Sequence, residues 1–170
     1  MMNARLAAAE TPTLSDSEVL ITHLFNAPRG AVYRAWTDPA QLPLWFAPPD
    51  CTIRFAKLEI RLGGEFHSCI TTPDGHECWC RGNYRELVEP ERIVFTMAVA
   101  DKAGNLLEPA DAGMDSEWPR ETIVEVTLVE DAGRTRLTLR QSVSETVAKR
   151  TGAHPSWILM FERLAEVIAK

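Results

Sequence analysis

Hydrophobic spacing changes several times along this chain, and each change marks an element. Glu18 to Asn26 (EVLITHLFN) alternates loosely and is rich in Val, Ile and Phe, which predicts a first strand. Ala27-Pro28 then opens a helix, with Asn26 or Ala27 near the cap and Pro28 at the first helical position. Its apolar stripe is Val32, Ala35 and Trp36. A second short helix is expected from Thr37 or Asp38, with Pro39 at its start. Leu42, Trp45 and Phe46 lie on one side of it, and Pro48-Pro49 stops it.

From Cys51 the period becomes two. Residues 52–62 read as a strand, Gly63-Gly64 as a turn and residues 65–72 as the next strand. Pro73-Asp74-Gly75 is a hairpin signal, because Pro suits the first central position of a turn and Gly the left-handed one. Strands follow over residues 77–88 and 92–100, separated by Glu89-Pro90-Glu91. Residues 101–118 are acidic and carry Gly104, Pro109 and Gly113, which predicts a loop long enough to be functional or mobile. A last hairpin spans residues 120–130 and 135–143, where Val124, Val126 and Leu128 share a face that can meet Leu137 and Leu139. Ser144 begins a helical stretch broken at Gly152 and restarted at Pro155, with Trp157, Phe161, Leu164 and Ile168 on one side. Runs of antiparallel strands with helices at the ends argue the α+β class. A single domain over residues 18–170 is expected, behind a poorly ordered leader at residues 1–17.

Composition narrows the function classes. The 170 residues are 45% hydrophobic and 25% charged, ordinary for a globular domain with a sizeable core. A net charge of −6 without a basic patch argues against nucleic acid as a partner. No apolar run approaches the length of a membrane span, and Leu6-Ala7-Ala8-Ala9 is too short for a secretory signal. The cytoplasm is the default compartment, and the four cysteines are expected to stay reduced there.

Five pieces, in order, carry a family resemblance: Trp36-Thr37-Asp38-Pro39; Leu42 with Trp45-Phe46; Glu59, Arg61, Gly63 and Gly64; Arg81, Gly82 and Tyr84; and Trp157 in the last helix. The chain resembles, over residues 18–170, the family related to the C-terminal domain of the activator of the ninety-kilodalton heat-shock chaperone ATPase. It departs at Glu59, where aspartate is commoner, and at Ser156, where glycine usually precedes the tryptophan. The resemblance implies a START-like (SRPBCC) helix-grip fold: a curved antiparallel sheet of six or seven strands wrapped around a long C-terminal helix, with two short helices after the first strand. It also implies an apolar cavity between sheet and helix, and it brings in a heat-shock chaperone as a partner. A counterpart of the separate N-terminal domain that eukaryotic activators use is not expected in this length, which weighs against the activator role.

The hairpin around Pro73-Asp74-Gly75 concentrates His67, Cys69, His76, Cys78 and Cys80, all of them zinc-ligand types. Register decides whether they converge. A three-residue loop, the reading adopted, pairs Ser68 with Cys80 and puts Phe66, Ser68, Ile70, Cys78 and Cys80 on one face, with His67, Cys69 and Trp79 on the other. A four-residue loop would gather His67, Cys69, Cys78 and Cys80 and set Cys69 against Cys80 for a disulfide. No metal and no cofactor is expected. Glu59 and Arg61 read as an ion pair bracing the turn. No nucleophile elbow, phosphate loop, dinucleotide fingerprint or His-Glu-x-x-His helix occurs. An outward Trp79, if exposed, would mark a partner or homodimer surface.

The leading expectation is binding of a small apolar or amphipathic molecule between the concave sheet and the last helix. Trp45, Phe46, Trp157 and Phe161 supply contact area, while Phe66, Ser68, Cys80, Tyr84 and Met97 face the same space. Ser68 and Tyr84 orient the ligand, and the 101–118 loop acts as a lid. No catalytic residue is assigned, and binding is favoured over catalysis. The alternatives are chaperone ATPase activation and a cyclase- or hydratase-like enzyme using the same cavity.

Overall fold

The computed structural model describes residues 16–170. Seven strands form one antiparallel sheet: β1 (Val19–Phe25), β2 (Thr52–Leu58), β3 (Glu65–Thr71), β4 (Glu77–Val88), β5 (Arg92–Val99), β6 (Glu121–Asp131) and β7 (Arg134–Gln141). Their spatial order is β1-β7-β6-β5-β4-β3-β2, so the first and last strands of the chain are neighbours. Helix α1 (Arg29–Thr37) follows β1, and α2 (Glu145–Thr151) and α3 (Ala153–Ile168) follow β7. The sheet coils around α3, giving the helix-grip fold of the START-like superfamily.

Most expected elements form, with local differences. Pro28 is the cap of α1 rather than its first residue, with an extended backbone (ψ 157°). It lacks an N–H to lose at that position. The second helix shrinks to a 3₁₀ turn at Leu42–Leu44. There the Asp38 carboxylate and carbonyl take up the N–H groups of Ala40, Gln41 and Leu42, and Pro43 has none to extend the ladder. Strand β2 ends at Leu58, not residue 62. Glu59–Gly64 instead folds into a compact turn in which the Glu59 carboxylate accepts from Glu65 N at 3.2 Å and pairs with Arg61 at 3.4 Å. Of the leader, residues 1–15 lie outside the described residues, while Asp16 is tied to the start of α2, accepting from Ser144 Oγ at 2.7 Å and Thr146 N at 3.1 Å.

The β3–β4 hairpin takes the three-residue register. Ser68 faces Cys80, Ile70 faces Cys78 and Cys69 faces Trp79, and Thr72 N donates to His76 O. Cys69 and Cys80 therefore point to opposite sides of the sheet, and all four cysteines are free thiols. Trp79 is half-buried on the outer face, beside His67 and beneath the Arg54 guanidinium, 5.2 Å from its ring centre.

Curvature comes from identifiable places. Register shifts interrupt β2 at Phe55/Lys57 and β4 at Tyr84/Glu86, and such bulges raise local twist. At Gly82 the strands approach so closely that a Cβ would overlap the Thr96 carbonyl and lie 2.8 Å from the Phe66 ring. Asn83 N there donates to the Thr96 hydroxyl at 3.0 Å. The core fills one half of the concave interior with Phe25, Val32, Trp36, Trp45, Phe161 and Leu164 beneath Val124, Val126, Leu137 and Leu139.

Two predictions follow from this packing. Gly82→Ala should destabilise by at least about 2 kcal/mol, because backbone rather than a flexible side chain must yield, and a urea midpoint measures it. His23 lies against Phe25 (4.4 Å) and Phe161 (6.0 Å), and burial holds its imidazole below the ordinary 6.5 despite the opposing pull of Glu162. The unfolded chain thus binds the proton more readily, and stability should fall as pH drops from 6.5 through the folded value. His23→Phe should flatten that slope in denaturation curves recorded between neutral and acidic pH.

Candidate functional site

The other half of the concave interior is hollow. A cavity of about 380 Å³ lies between the sheet and the α2–α3 junction. Ile70 of β3 with Thr72 just beyond it, Cys78 and Cys80 of β4, and Met97 and Val99 of β5 form its sheet wall. Phe46, Pro48 and Cys51, from the segment before β2, form one end. Thr122 of β6 and Gln141 of β7 form the floor. Gly152, Ala153, Ser156, Trp157 and Met160 form the helical side. Gly152 separates α2 from α3 with φ +89°, a left-handed backbone that suits glycine, and so turns α3 across the sheet.

The 101–118 segment borders the remaining side, which stays partly open to solvent. It is partly ordered by a bridge between Ala100 and Leu106 and a 3₁₀ turn at Pro109–Ala112. Arg81 donates to Gly104 O at 2.6 Å and His67 Nε2 to Asp101 O at 3.0 Å, anchoring its first half to the outer face. Arg150 of α2 anchors the second half, with both Asp115 oxygens (2.9 and 3.1 Å) and Glu117 (2.8 Å). Met114 and Trp118, on either side of the Asp115 and Glu117 anchor, line the cavity. A bidentate guanidinium–carboxylate pair fixes direction better than a single contact does.

Among the described residues the lining carries no Asp, Glu, Lys, Arg or His. Burial pushes the Cys80 thiol up to about 12, and desolvation also raises Cys78, so these two sheet-wall thiols favour the neutral form. The buried polar groups form a chain instead. Trp157 Nε1 donates to Gln141 Oε1 at 2.9 Å, and Gln141 Nε2 donates to Thr122 Oγ1 at 3.1 Å.

Phe46, Cys80, Met97 and Trp157, four of the residues expected at the site, line this cavity. The other five stand elsewhere. Trp45 is fully buried and donates from Nε1 to Ala35 O at 2.9 Å, locking the 3₁₀ turn onto α1. Phe161 is fully buried among Phe25, Trp36 and Trp157. Phe66 and Tyr84 border a separate void of about 10 Å³, room for roughly one water, on the far side of Phe46 and Phe95. Burial raises the Tyr84 phenol. Ser68 is buried between Phe55 and Cys80 in the strand ladder, away from the cavity lining. Two lining residues outside the expected set, Thr122 and Gln141, are polar positions in inward rows, Thr122 with Val124, Val126 and Leu128, Gln141 with Thr135, Leu137 and Leu139. That parity was the available signal.

This division predicts two classes of substitution. Trp45→Ala and Phe161→Ala should each cost about 3–5 kcal/mol, as core truncations do. Met97→Ala, already bordering empty space, should cost less than about half of that, because fewer contacts are lost. Thermal unfolding of the three variants separates the classes.

Comparison with known proteins agrees with the fold. A solution structure of a protein from Arthrobacter aurescens superposes with a TM-score of 0.77 at 24% identity, covering 91% of this chain and 87% of that one. A crystal structure from Chromobacterium violaceum gives 0.74 at 22% identity, covering 91% and 98%. The AHSA1 protein from Silicibacter pomeroyi gives 0.71 at 17% identity, covering 89% and 97%. No curated protein matches the chain. The family model described as "Activator of Hsp90 ATPase homolog 1-like protein" matches residues 26–169. That span covers nearly all of the described structure, α1 and the Trp36–Phe46 segment included, and the chain belongs to this family.

Proposed function

We propose that this protein binds a small, uncharged, apolar or amphipathic molecule between the concave sheet and α3, with the cytoplasm as its compartment. The observation that carries this reading is a hollow of about 380 Å³, walled by aromatic, aliphatic and sulfur side chains and free of charged ones. Volumes of this order suit small organic ligands, which such sites hold by desolvation and a few polar contacts. A charged headgroup would find nothing in the lining to neutralise it. Met114 and Trp118 serve as the inner surface of a lid that Arg150 latches to α2. Acid–base catalysis needs a titratable group within reach of the substrate. The titratable groups among the described lining residues are cysteine thiols, of which Cys78 and Cys80 are raised above their ordinary range, which favours binding over a cyclase- or hydratase-like reaction. Family membership is the sole support for chaperone ATPase activation, and no feature of this cavity calls for that role.

N-phenylnaphthylamine, a neutral apolar fluorophore, should bind with enhanced emission. Met160→Trp, which fills the cavity from α3, should weaken it at least about tenfold while leaving the far-ultraviolet circular dichroism unchanged. Native mass spectrometry of the same samples reads co-purifying ligand and oligomeric state together. Failure of the wild-type protein both to carry a small molecule and to take up the fluorophore would remove this proposal.

A further inference from the structure

Resting on that cavity, we infer that its floor is a directed hydrogen-bond donor for a ligand carbonyl, and that its walls select an aromatic body. The inference begins with an orientation that chemistry dictates. An indole N–H can only donate, so the Gln141 atom 2.9 Å from Trp157 Nε1 is the amide oxygen. The Gln141 nitrogen therefore faces Thr122 and donates to its Oγ1 at 3.1 Å. Thr122 thus acts as acceptor towards Gln141 and keeps its own O–H proton. Among the described residues no acceptor is bonded to that proton. Thr122 is 1% exposed, Gln141 is 3% exposed, and both line the cavity. A buried donor without a partner is costly, and a ligand oxygen placed against it would relieve that cost. The chain Trp157–Gln141–Thr122 holds the hydroxyl in place from helix to sheet, so the donor is oriented before anything binds.

The walls define the rest of the molecule. Met97, Met114 and Met160 all line the cavity, as do three of the four cysteines. The protein has five methionines, and the other two are Met1 and Met2. Sulfur is thus concentrated at this one place. Thioethers are polarisable and make favourable contacts with aromatic rings. Phe46, Trp118 and Trp157 add ring surfaces. The occupant this lining fits is an uncharged aromatic ketone, aldehyde or amide, its ring body among the sulfurs and its oxygen on Thr122.

Four probes of similar size separate the components of this proposal: acetonaphthone, isopropenylnaphthalene, naphthoate and dodecanone, each titrated as a displacer of N-phenylnaphthylamine. Thr122→Val should weaken acetonaphthone roughly five- to tenfold and leave isopropenylnaphthalene within about twofold, the difference expected for one net hydrogen bond. Thr122→Ser, which keeps the hydroxyl, should retain acetonaphthone affinity. Naphthoate should bind far more weakly than acetonaphthone, and dodecanone more weakly too. The infrared carbonyl stretch of bound acetonaphthone should lie below its position in hexane, a readout that needs no variant. An unshifted carbonyl, or equal effects of Thr122→Val on both naphthalenes, would overturn the donor assignment while leaving the cavity as a binding site. Tighter binding of dodecanone than acetonaphthone would overturn the aromatic selectivity. Displacement by none of the four would overturn the cavity reading itself.

Discussion

One cluster of rings sets the distance between helix and sheet, and the hollow exists because of it. Trp36, at the end of α1, is surrounded by Trp45, Phe46, Phe95, Trp157 and Phe161 with centroids 4.6 to 6.4 Å away. Close-packed rings transmit strain rather than compress, so α3 cannot settle further onto β4 and β5 at this end. Phe46 and Trp157 belong both to the cluster and to the cavity wall. They form a partition, with packed core on one side and open space on the other. Among the described residues the buried Trp36 Nε1–H has no hydrogen-bond partner, a cost the ring packing has to outweigh.

The second requirement is that the sheet bend far enough to face itself. The motifs by which the family is recognised serve that bend more than they serve any ligand. Gly82 permits the close approach to Thr96. The turn after β2 locks onto β4 through Gly63 N donating to Tyr84 O and Tyr84 N donating to Gly64 O, both at 2.9 Å. Arg81 fastens the long loop through the Gly104 carbonyl. Trp45 spends its indole N–H on Ala35.

That separation explains what was legible in the chain. Alternation, turn residues and the helical stripe are local signals, and they yielded the strands, the β3–β4 register and α3. The aromatic residues were legible as a group, but the division between wall and core was not. Trp45 and Phe46 are adjacent in sequence, yet Trp45 lies wholly in the core while Phe46 forms part of the partition, since both follow the 3₁₀ turn in non-helical backbone rather than continuing a helix. Met114 and Trp118 lie in a stretch without periodicity, placed by ion pairs to Arg150 that no local pattern announces. Thr122 and Gln141 obey strand parity, but a polar side chain at an inward position gives no local sign of what it faces.

The polar chain at the floor gives the cavity a property that neither apolar walls nor a lone hydroxyl would provide. Gln141 spans the gap between α3 and β6, so the indole of Trp157 and the hydroxyl of Thr122 are positioned by the same amide. An occupant that engages Thr122 acts on the link that seats α3 against the sheet, and the latched loop rests against the same helical pair through Arg150. Because no acid or base lines the space and the Cys80 thiol stays protonated up to about 12, these contacts keep their character across the neutral range. Under the proposed function, specificity rests on shape, polarisability and one directed proton, the combination by which a largely apolar site can tell one uncharged molecule from another.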